Sequence, residues 1–333
     1  MSNSELAEGN NQNSASTGVS DAEDGDANDI RMHQYQNYND YDLAAINSDE
    51  EDIDLNHGRI EKIESLERFT KVQKLCLRQN LIIKIENLHS IATTLVELDF
   101  YDNQITKIEN LEMLVNLEHL DLSFNRIRKI ENLSNLTRLK RLYFVHNKIE
   151  KIENLEELVD LELLELGDNR LRKLENLDKL TNLKELYAGK NKITKLQGLE
   201  KLEKLELLSI QANRIVSIEG LENLCQLRDL YLSDNGIQEI DGFQNNGLLK
   251  TLDLANNRIS KLKNLKHLTQ LEDFWFNDNA ISDFNEVEEL KGLANLDTVY
   301  LERNPIYKDS GYRRKIMLIL PQLKRLDALY CRQ

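Results

Sequence analysis

Rings and carboxylates recur at one fixed spacing in this chain. A constant interval, counted back from Trp275, the only tryptophan, lands on Asp253, Tyr231, Ser209, Tyr187, Glu165, Tyr143, Asp121 and Asp99; slightly longer end steps add Cys76 and Tyr300. Five of these eleven residues are aromatic, four are carboxylates and none is Lys or Arg, in a chain that is 6% aromatic overall. Evenly spaced, non-convergent carboxylates are poor general acid–base machinery. Rings and acids repeated along a rigid surface are recognition chemistry, the residue types that carry protein-interface hot spots. Cross-strand ring pairing for stability is the simpler alternative. The acids ask for a partner with a basic face and for binding that weakens as salt rises.

Other chemistries find no support. The six histidines (33, 57, 89, 119, 146, 267) fall in different columns without ligand-like spacing, although His119 and His146 belong near the same side of adjacent units. No Gly-rich phosphate loop or nucleophile elbow stands out. Neither a catalytic centre, a metal nor a cofactor is expected. Ser48, in "NSDEED", precedes a carboxylate cluster and is a candidate phosphorylation site for an acid-directed kinase.

The spacing comes from a repeat. The pattern Leu-x-Leu-x-x-Asn-x-Ile places Asn at 80, 103, 125, 147, 169, 191, 213, 235, 257 and 279. An irregular copy with Gly58 in the Asn position precedes them, and another with Asn304 follows, giving about twelve units. In "HLDLSFNRI" (119–127), Leu120 and Leu122 alternate with Asp121, so a short strand sends the leucines inward and the acid outward. An inward Asn amide carries donors and an acceptor for backbone groups at the strand end. Period and motif together define a leucine-rich-repeat horseshoe, an α/β solenoid with a parallel concave sheet and short helical or irregular convex returns.

Register then orients Trp275. In "FWFND" (274–278) Phe274 and Phe276 fill the two Leu positions, so Trp275 faces outward on the concave surface. Gly167, Gly189, Ser233 and Ala255 keep the neighbouring column small. The recurrent "KIENL" or "KLENL" of the returns, with Lys107–Glu109, Lys129–Glu131, Lys151–Glu153 and Lys173–Glu175, reads as a solvated, charge-balanced outer surface.

Solenoid ends need lids. Pro305 and Pro321 bracket "IYKDSGYRRKIMLIL", in which Tyr312, Ile316, Ile319 and Leu320 have helical spacing and are expected to lie across the final coil. At the other end "DLAAI" (42–46) is a candidate capping turn. The expected boundaries are a disordered acidic tail over 1–45, a solenoid over 46–304 and a C-terminal cap over 305–333.

Charge agrees with that division. The chain has 58 acids against 43 bases, a net charge of −15, and the stretch from Met1 to Asp54 holds 14 acids and one base, Arg31. No basic run appears, so nucleic acid is not an expected partner. The start "MSNSELAEGN" lacks signal-peptide features, and the longest apolar run, "IMLIL" (316–320), is far short of the roughly 20 residues of a membrane span. Three scattered cysteines, 76, 225 and 331, fit reduced thiols. A soluble intracellular protein, monomeric on its own, is expected.

Repeats reading "LxxLxLxxNxIxxIxNL", followed by "NPIY…YRRKIMLILPQLKRLD" (304–327), resemble the leucine-rich-repeat regulatory subunit 7 family of type-1 serine/threonine protein phosphatase, over about residues 53–330. The resemblance implies that the concave face grips the phosphatase catalytic subunit. Its contacts, transferred position by position, are Asp121, Tyr143, Glu165, Tyr187, Asp253, Asp273, Trp275 and Tyr300. All but Asp273 belong to the outward column. The family often has Phe where this chain has Tyr143 and Tyr187, and the ring is retained. The short basic-Val-x-Phe segment through which many other phosphatase regulators dock is missing, which agrees with docking through the repeats. The resemblance further implies roles in phosphatase maturation, localisation and mitosis in nucleus and cytoplasm, and a ternary complex with a small phosphatase inhibitor. The alternative reading is a scaffold for another basic protein, such as a ribonucleoprotein or cytoskeletal component.

Overall fold

The computed structural model describes residues 43–331; most of the acidic tail expected over 1–45 lies outside them. Fourteen short strands form one sheet in strict sequence order. They are β1 (Asp52–Asp54), β2 (Lys74–Cys76), β3 (Glu97–Asp99), β4 (His119–Asp121), β5 (Arg141–Tyr143), β6 (Leu163–Glu165), β7 (Glu185–Tyr187), β8 (Leu207–Ser209), β9 (Asp229–Tyr231), β10 (Thr251–Asp253), β11 (Asp273–Trp275), β12 (Thr298–Tyr300), β13 (Arg325–Leu326) and β14 (Leu329–Tyr330). Neighbours from β1 to β13 pair in parallel, and β14 folds back antiparallel on β13. Equal unit lengths hold the register, so Asp121 lies beside Tyr143, Tyr143 beside Glu165, and Trp275 between Asp253 and Tyr300.

Each unit buries its apolar residues at three-residue intervals. In the unit from His119, Leu120, Leu122, Ile127, Ile130, Leu133, Leu136 and Leu139 are all fully buried. Of the short helical or irregular returns expected, this one is irregular: the chain makes successive three-residue turns, with Leu136 N–H donating to Leu133 O and Leu139 N–H to Leu136 O at 2.9 and 3.0 Å. A three-residue step keeps every leucine on one side, as in 3₁₀ winding. The described residues contain a single α-helix, α1 (Tyr312–Ile319).

The Asn column joins one unit to the next. Asn169 Nδ2 donates to Phe144 O of the preceding unit at 2.8 Å and to Leu166 O of its own at 3.1 Å, while its Oδ1 accepts from Ile149 N–H at 3.0 Å. Asn80 through Asn304 repeat that scheme. A second Asn column was not foreseen. Asn110, Asn132 and Asn154 of "KIENL" and Asn176 of "KLENL" have φ near +58° and donate to a return carbonyl one unit back at 2.7 Å. Gly198, Gly220 and Gly242 take the same position later in the chain, where a Cβ would come within 3 Å of a backbone carbonyl oxygen.

Both ends are closed. Leu43 and Ile46 pack on the core, and Arg68 ties them down by donating to Leu43 O at 3.2 Å and Ile46 O at 2.7 Å. At the other end Tyr312, Ile316 and Leu320 are buried, with Ile319 packed partly against the core. The Tyr312 hydroxyl donates to Asp327, whose Oδ1 also accepts Leu301 and Glu302 N–H at 2.9 Å.

Asn246 breaks the pattern: it stands in a leucine position, fully buried, with Oδ1 lacking any hydrogen bond. Its Nδ2 reaches Leu221 O and Leu224 O, which already accept backbone N–H groups. One substitution should therefore act in opposite directions at two sites. Asn246→Leu should stabilise the solenoid by about 1–2 kcal/mol, and Asn169→Leu should cost about 2–4 kcal/mol by orphaning buried backbone groups. Urea midpoints of the two variants check this; a shift of the same sign in both would refute it.

Candidate protein-binding surface on the concave face

The middle residue of each of β1–β12 is a buried Leu, Ile, Phe or Val, so the residues on either side of it face the concave surface. Trp275 points outward and is half-buried, with its ring centroid 6.0 Å from Tyr231 and 6.3 Å from Tyr300. Tyr231 reaches Trp275 across the intervening strand because Asp253 between them is short. Tyr143, Glu165, Tyr187, Asp273 and Tyr300 are also half-buried on this face. The eight residues picked from the sequence therefore form two groups, Asp121 to Tyr187 on β4–β7 and Asp253 to Tyr300 on β10–β12. Tyr231 belongs with the second group; its place in the repeating outward column was the signal for it.

Four of the outward acids have work to do inside the fold. Phe100 and Asp102 N–H bond to the next strand at 2.8 and 3.0 Å, and the N–H between them, of Tyr101, goes instead to Asp99 Oδ1 at 2.9 Å. Asp121 does the same for Ser123 at 2.8 Å, Glu165 for Gly167 at 2.7 Å and Asp253 for Ala255 at 2.9 Å. A carboxylate two residues before an unpaired N–H is placed to accept it. Asp121 and Asp253 end up only 6% exposed. The expectation that Asp253 offers open charge beside Trp275 is corrected accordingly: it is covered by its neighbours and hydrogen-bonded to the Ala255 N–H and the Ser233 hydroxyl. The open acids there are Asp273 and Asp229, whose carboxylates have no hydrogen bond or ion pair among the described residues.

Burial raises the carboxyls of Asp99, Glu165 and Asp253 above the ordinary range, and raises the phenols of Tyr143, Tyr187 and Tyr231 as well. Glu185 reinforces the effect on Tyr187 by accepting its hydroxyl at 2.7 Å.

The N-terminal half carries features that the column did not reveal. Arg78 Nε lies 2.6 Å from Asp99 and its Nη2 3.5 Å from Asp121, which neutralises acid there. Its guanidinium covers the Tyr101 ring at 4.8 Å, Tyr101 meets Phe124 at 4.8 Å, and Phe124 stacks on His146 at 4.9 Å. His146 and His119 do not meet as a pair: His146 bonds Asp168 at 2.7 Å, and His119 lies against Tyr143, its pKa lowered by burial. Gly189 is also less open than its type suggests, because Gln211 lies over it.

Of the return pairs, Lys129–Glu131, Lys151–Glu153 and Lys173–Glu175 are within 4 Å. Ser48 sits half-buried in the turn before β1, and Asp49 beside it pairs with Lys71 at 3.0 Å. Among the described residues no three His, Cys, Asp or Glu gather as a metal site, and no helix is long and apolar enough to cross a membrane.

Strand order, a ladder of buried Asn and a short repeat of constant length make this chain a leucine-rich-repeat protein. The family model described as "Leucine-rich repeat" matches residues 221–333, and "Leucine Rich repeats (2 copies)" matches 93–136 and 181–223. An internalin from Listeria monocytogenes superposes with a TM-score of 0.68 at 26% identity, over 84% of this chain and 87% of its own. A leucine-rich-repeat protein of Leptospira interrogans gives 0.55 at 19% identity, over 84% and 96%, which speaks to fold alone.

Among curated proteins the chain is similar to protein phosphatase 1 regulatory subunit 7. Identity is 55% over 49 residues to the mouse protein and 58% over 50 residues to that of Xenopus tropicalis. Protein phosphatase 1 regulatory subunit SDS22 of Schizosaccharomyces pombe is 52% identical over 48 residues. The matched stretches cover 14–15% of this chain and 14% of each relative's length.

Buried, hydrogen-bonded Asp253 gives a pH test. Its raised pKa means that the folded state holds this proton more tightly than the unfolded chain does, so ionisation costs stability as pH rises through the raised value. Asp253→Asn keeps an oxygen for the Ala255 N–H and removes the buried charge. The variant should match or exceed the wild type in urea at pH 7, and the difference should shrink as pH falls to about 4. A variant clearly less stable at pH 7 would mean that the charge itself is needed.

Proposed function

We propose that this chain is a non-catalytic subunit that holds the catalytic subunit of type-1 serine/threonine protein phosphatase on its concave face and controls its activity, maturation or localisation. The observation that carries the reading is the cluster of Tyr231, Trp275 and Tyr300 beside the unpaired acids Asp229 and Asp273. Large rings supply rigid contact area, and open carboxylates select a basic partner face. The names of the relatives supply the partner. Evenly spaced acids already engaged by backbone N–H groups do not make a reaction centre, which favours a binding role over catalysis. The seven concave residues other than Asp253, a third small-inhibitor component and a shared nuclear and cytoplasmic location belong to the same reading.

Calorimetric titration of the full chain with purified type-1 phosphatase catalytic subunit tests it. Trp275→Ala should weaken binding by about 2 kcal/mol or more, roughly 30-fold. Its urea midpoint should stay unchanged, because the ring lies outside the core. Asp273→Asn should cost less, by an amount that shrinks as salt is raised. A wild-type chain that ignores the phosphatase but binds another basic protein through Trp275 would replace this partner with the scaffold reading.

A further inference from the structure

We infer that one edge of the solenoid is a docking ridge for an acidic polypeptide segment, a site separate from the concave face and from any phosphatase. The residue after the ladder Asn faces outward in every unit, between inward Asn and inward Ile. In five consecutive units it is Arg126, Lys148, Arg170, Lys192 and Arg214, and after Gly236 it is Arg258. Arg128 and Arg172, two residues further on, flank the row. These side chains are exposed or half-exposed. Adjacent strands are ~4.8 Å apart, so the five lie in a line ~20 Å long. A linear scan finds no basic run because a whole repeat separates each charge from the next; stacking brings them together.

The opposite edge handles charge differently. There the sign alternates from unit to unit as Glu118, Lys140, Glu162, Lys184, Glu206 and Arg228, with ion pairs of 2.9 Å for Lys140–Glu118, 3.0 Å for Lys184–Glu162 and 3.4 Å for Arg228–Glu206. On the ridge the one ion pair among the described residues joins Arg170 to Glu150 at 4.0 Å. Arg126, Arg128, Lys148, Arg172, Lys192, Arg214 and Arg258 have no ion-pair partner among the described residues. Like charges on neighbouring strands repel, and the alternating edge shows how the same repeat avoids that cost. A row of five cations, four of them without an ion-pair partner, in a chain of net charge −15 therefore points to a ligand that brings the anions.

An acidic polypeptide fits better than a nucleic acid. Carboxylates three or four residues apart on a helix lie ~5–6 Å apart, close to the spacing of the ridge. Single-stranded nucleic acid also needs ring faces on which bases can stack. The rings beside the ridge pack on one another instead: Arg78 covers Tyr101, and Phe124 lies 4.8 Å from Tyr101 and 4.9 Å from His146.

The test is fluorescence anisotropy of a labelled Glu/Asp-rich peptide long enough to span the ridge, with an oligouridylate RNA of equal net charge as competitor, added to the full chain. The ridge variant is Arg126→Gln/Lys148→Gln/Arg170→Gln/Lys192→Gln/Arg214→Gln, and the control is Lys140→Gln/Lys184→Gln/Arg228→Gln. Circular-dichroism melts confirm that each is folded, and Arg126→Gln/Arg170→Gln/Arg214→Gln replaces the ridge variant if that one does not fold. The expected result is salt-sensitive peptide binding, weakened at least tenfold in the ridge variant and less than twofold in the control. No binding by the wild type at low salt, equal losses in ridge and control, or tighter binding of the RNA through the same residues would each overturn the proposal. Phosphatase binding by the ridge variant is measured alongside; its retention keeps the two sites distinct.

Discussion

A buried asparagine amide at the end of each strand holds one unit to the next, and the rest of the molecule depends on it. A three-residue strand satisfies few of its own backbone groups. The chain that leaves it must turn beneath the sheet, where an unpaired carbonyl or N–H has no water to meet. Asn125 answers this with one side chain: Nδ2 donates to Phe100 O and Leu122 O, and Oδ1 accepts Ile105 N–H. Two of those partners belong to the preceding unit, so the bond that ends a strand also fixes the distance between coils. Constant spacing follows, and with it the register that turns equivalent positions of successive units into a column.

Columns then acquire roles that single residues do not have. The outward position of each strand serves two demands at once, closing the N–H two residues on and presenting a surface. Short acids such as Asp99, Asp121 and Asp253 meet the first demand and sink between their neighbours. Rings cannot meet it and stand proud. The sinking of Asp253 is what lets Tyr231 lean to within 6.0 Å of Trp275 across a strand. The ring cluster is thus partly a product of the acid between its members, and a larger side chain at 253 would part the two rings.

Much of this was legible in the chain itself. Strand register, the direction of Trp275, the buried Phe274 and Phe276 and the Asn ladder all follow from a constant repeat length and a two-residue alternation. What stayed hidden depends on which neighbour reaches a given atom. Arg78 lies outside the acidic column, yet it neutralises Asp99 and Asp121 because stacking places it beside them. The Asn of "KIENL" read as part of a solvated surface, because positive φ leaves no mark on a sequence until Gly198 and Gly220 are seen in the same position. Which of the two return forms a unit adopts was equally hidden: leucines three apart suit one helical face or a run of tight turns, and only hydrogen bonds from each leucine to the third before it distinguish them.

Charge shows most clearly what stacking adds to composition. The net value of −15 is dominated by the stretch from Met1 to Asp54, and the solenoid that follows is close to neutral. Neutrality in sum conceals a division by edge, with alternating, paired signs on one side and a single, mostly unpaired sign on the other. Exposed ion pairs contribute little stability each, so the alternating edge is better understood as avoidance of repulsion than as a source of cohesion. By the same reasoning the like-charged edge carries a modest cost in every unit, small enough for the leucine core and the Asn ladder to carry. A solenoid can therefore keep a row of one sign wherever a ligand makes use of it, and the same freedom lets a concave face that opens acids beside Trp275 coexist with a cationic ridge in one rigid body.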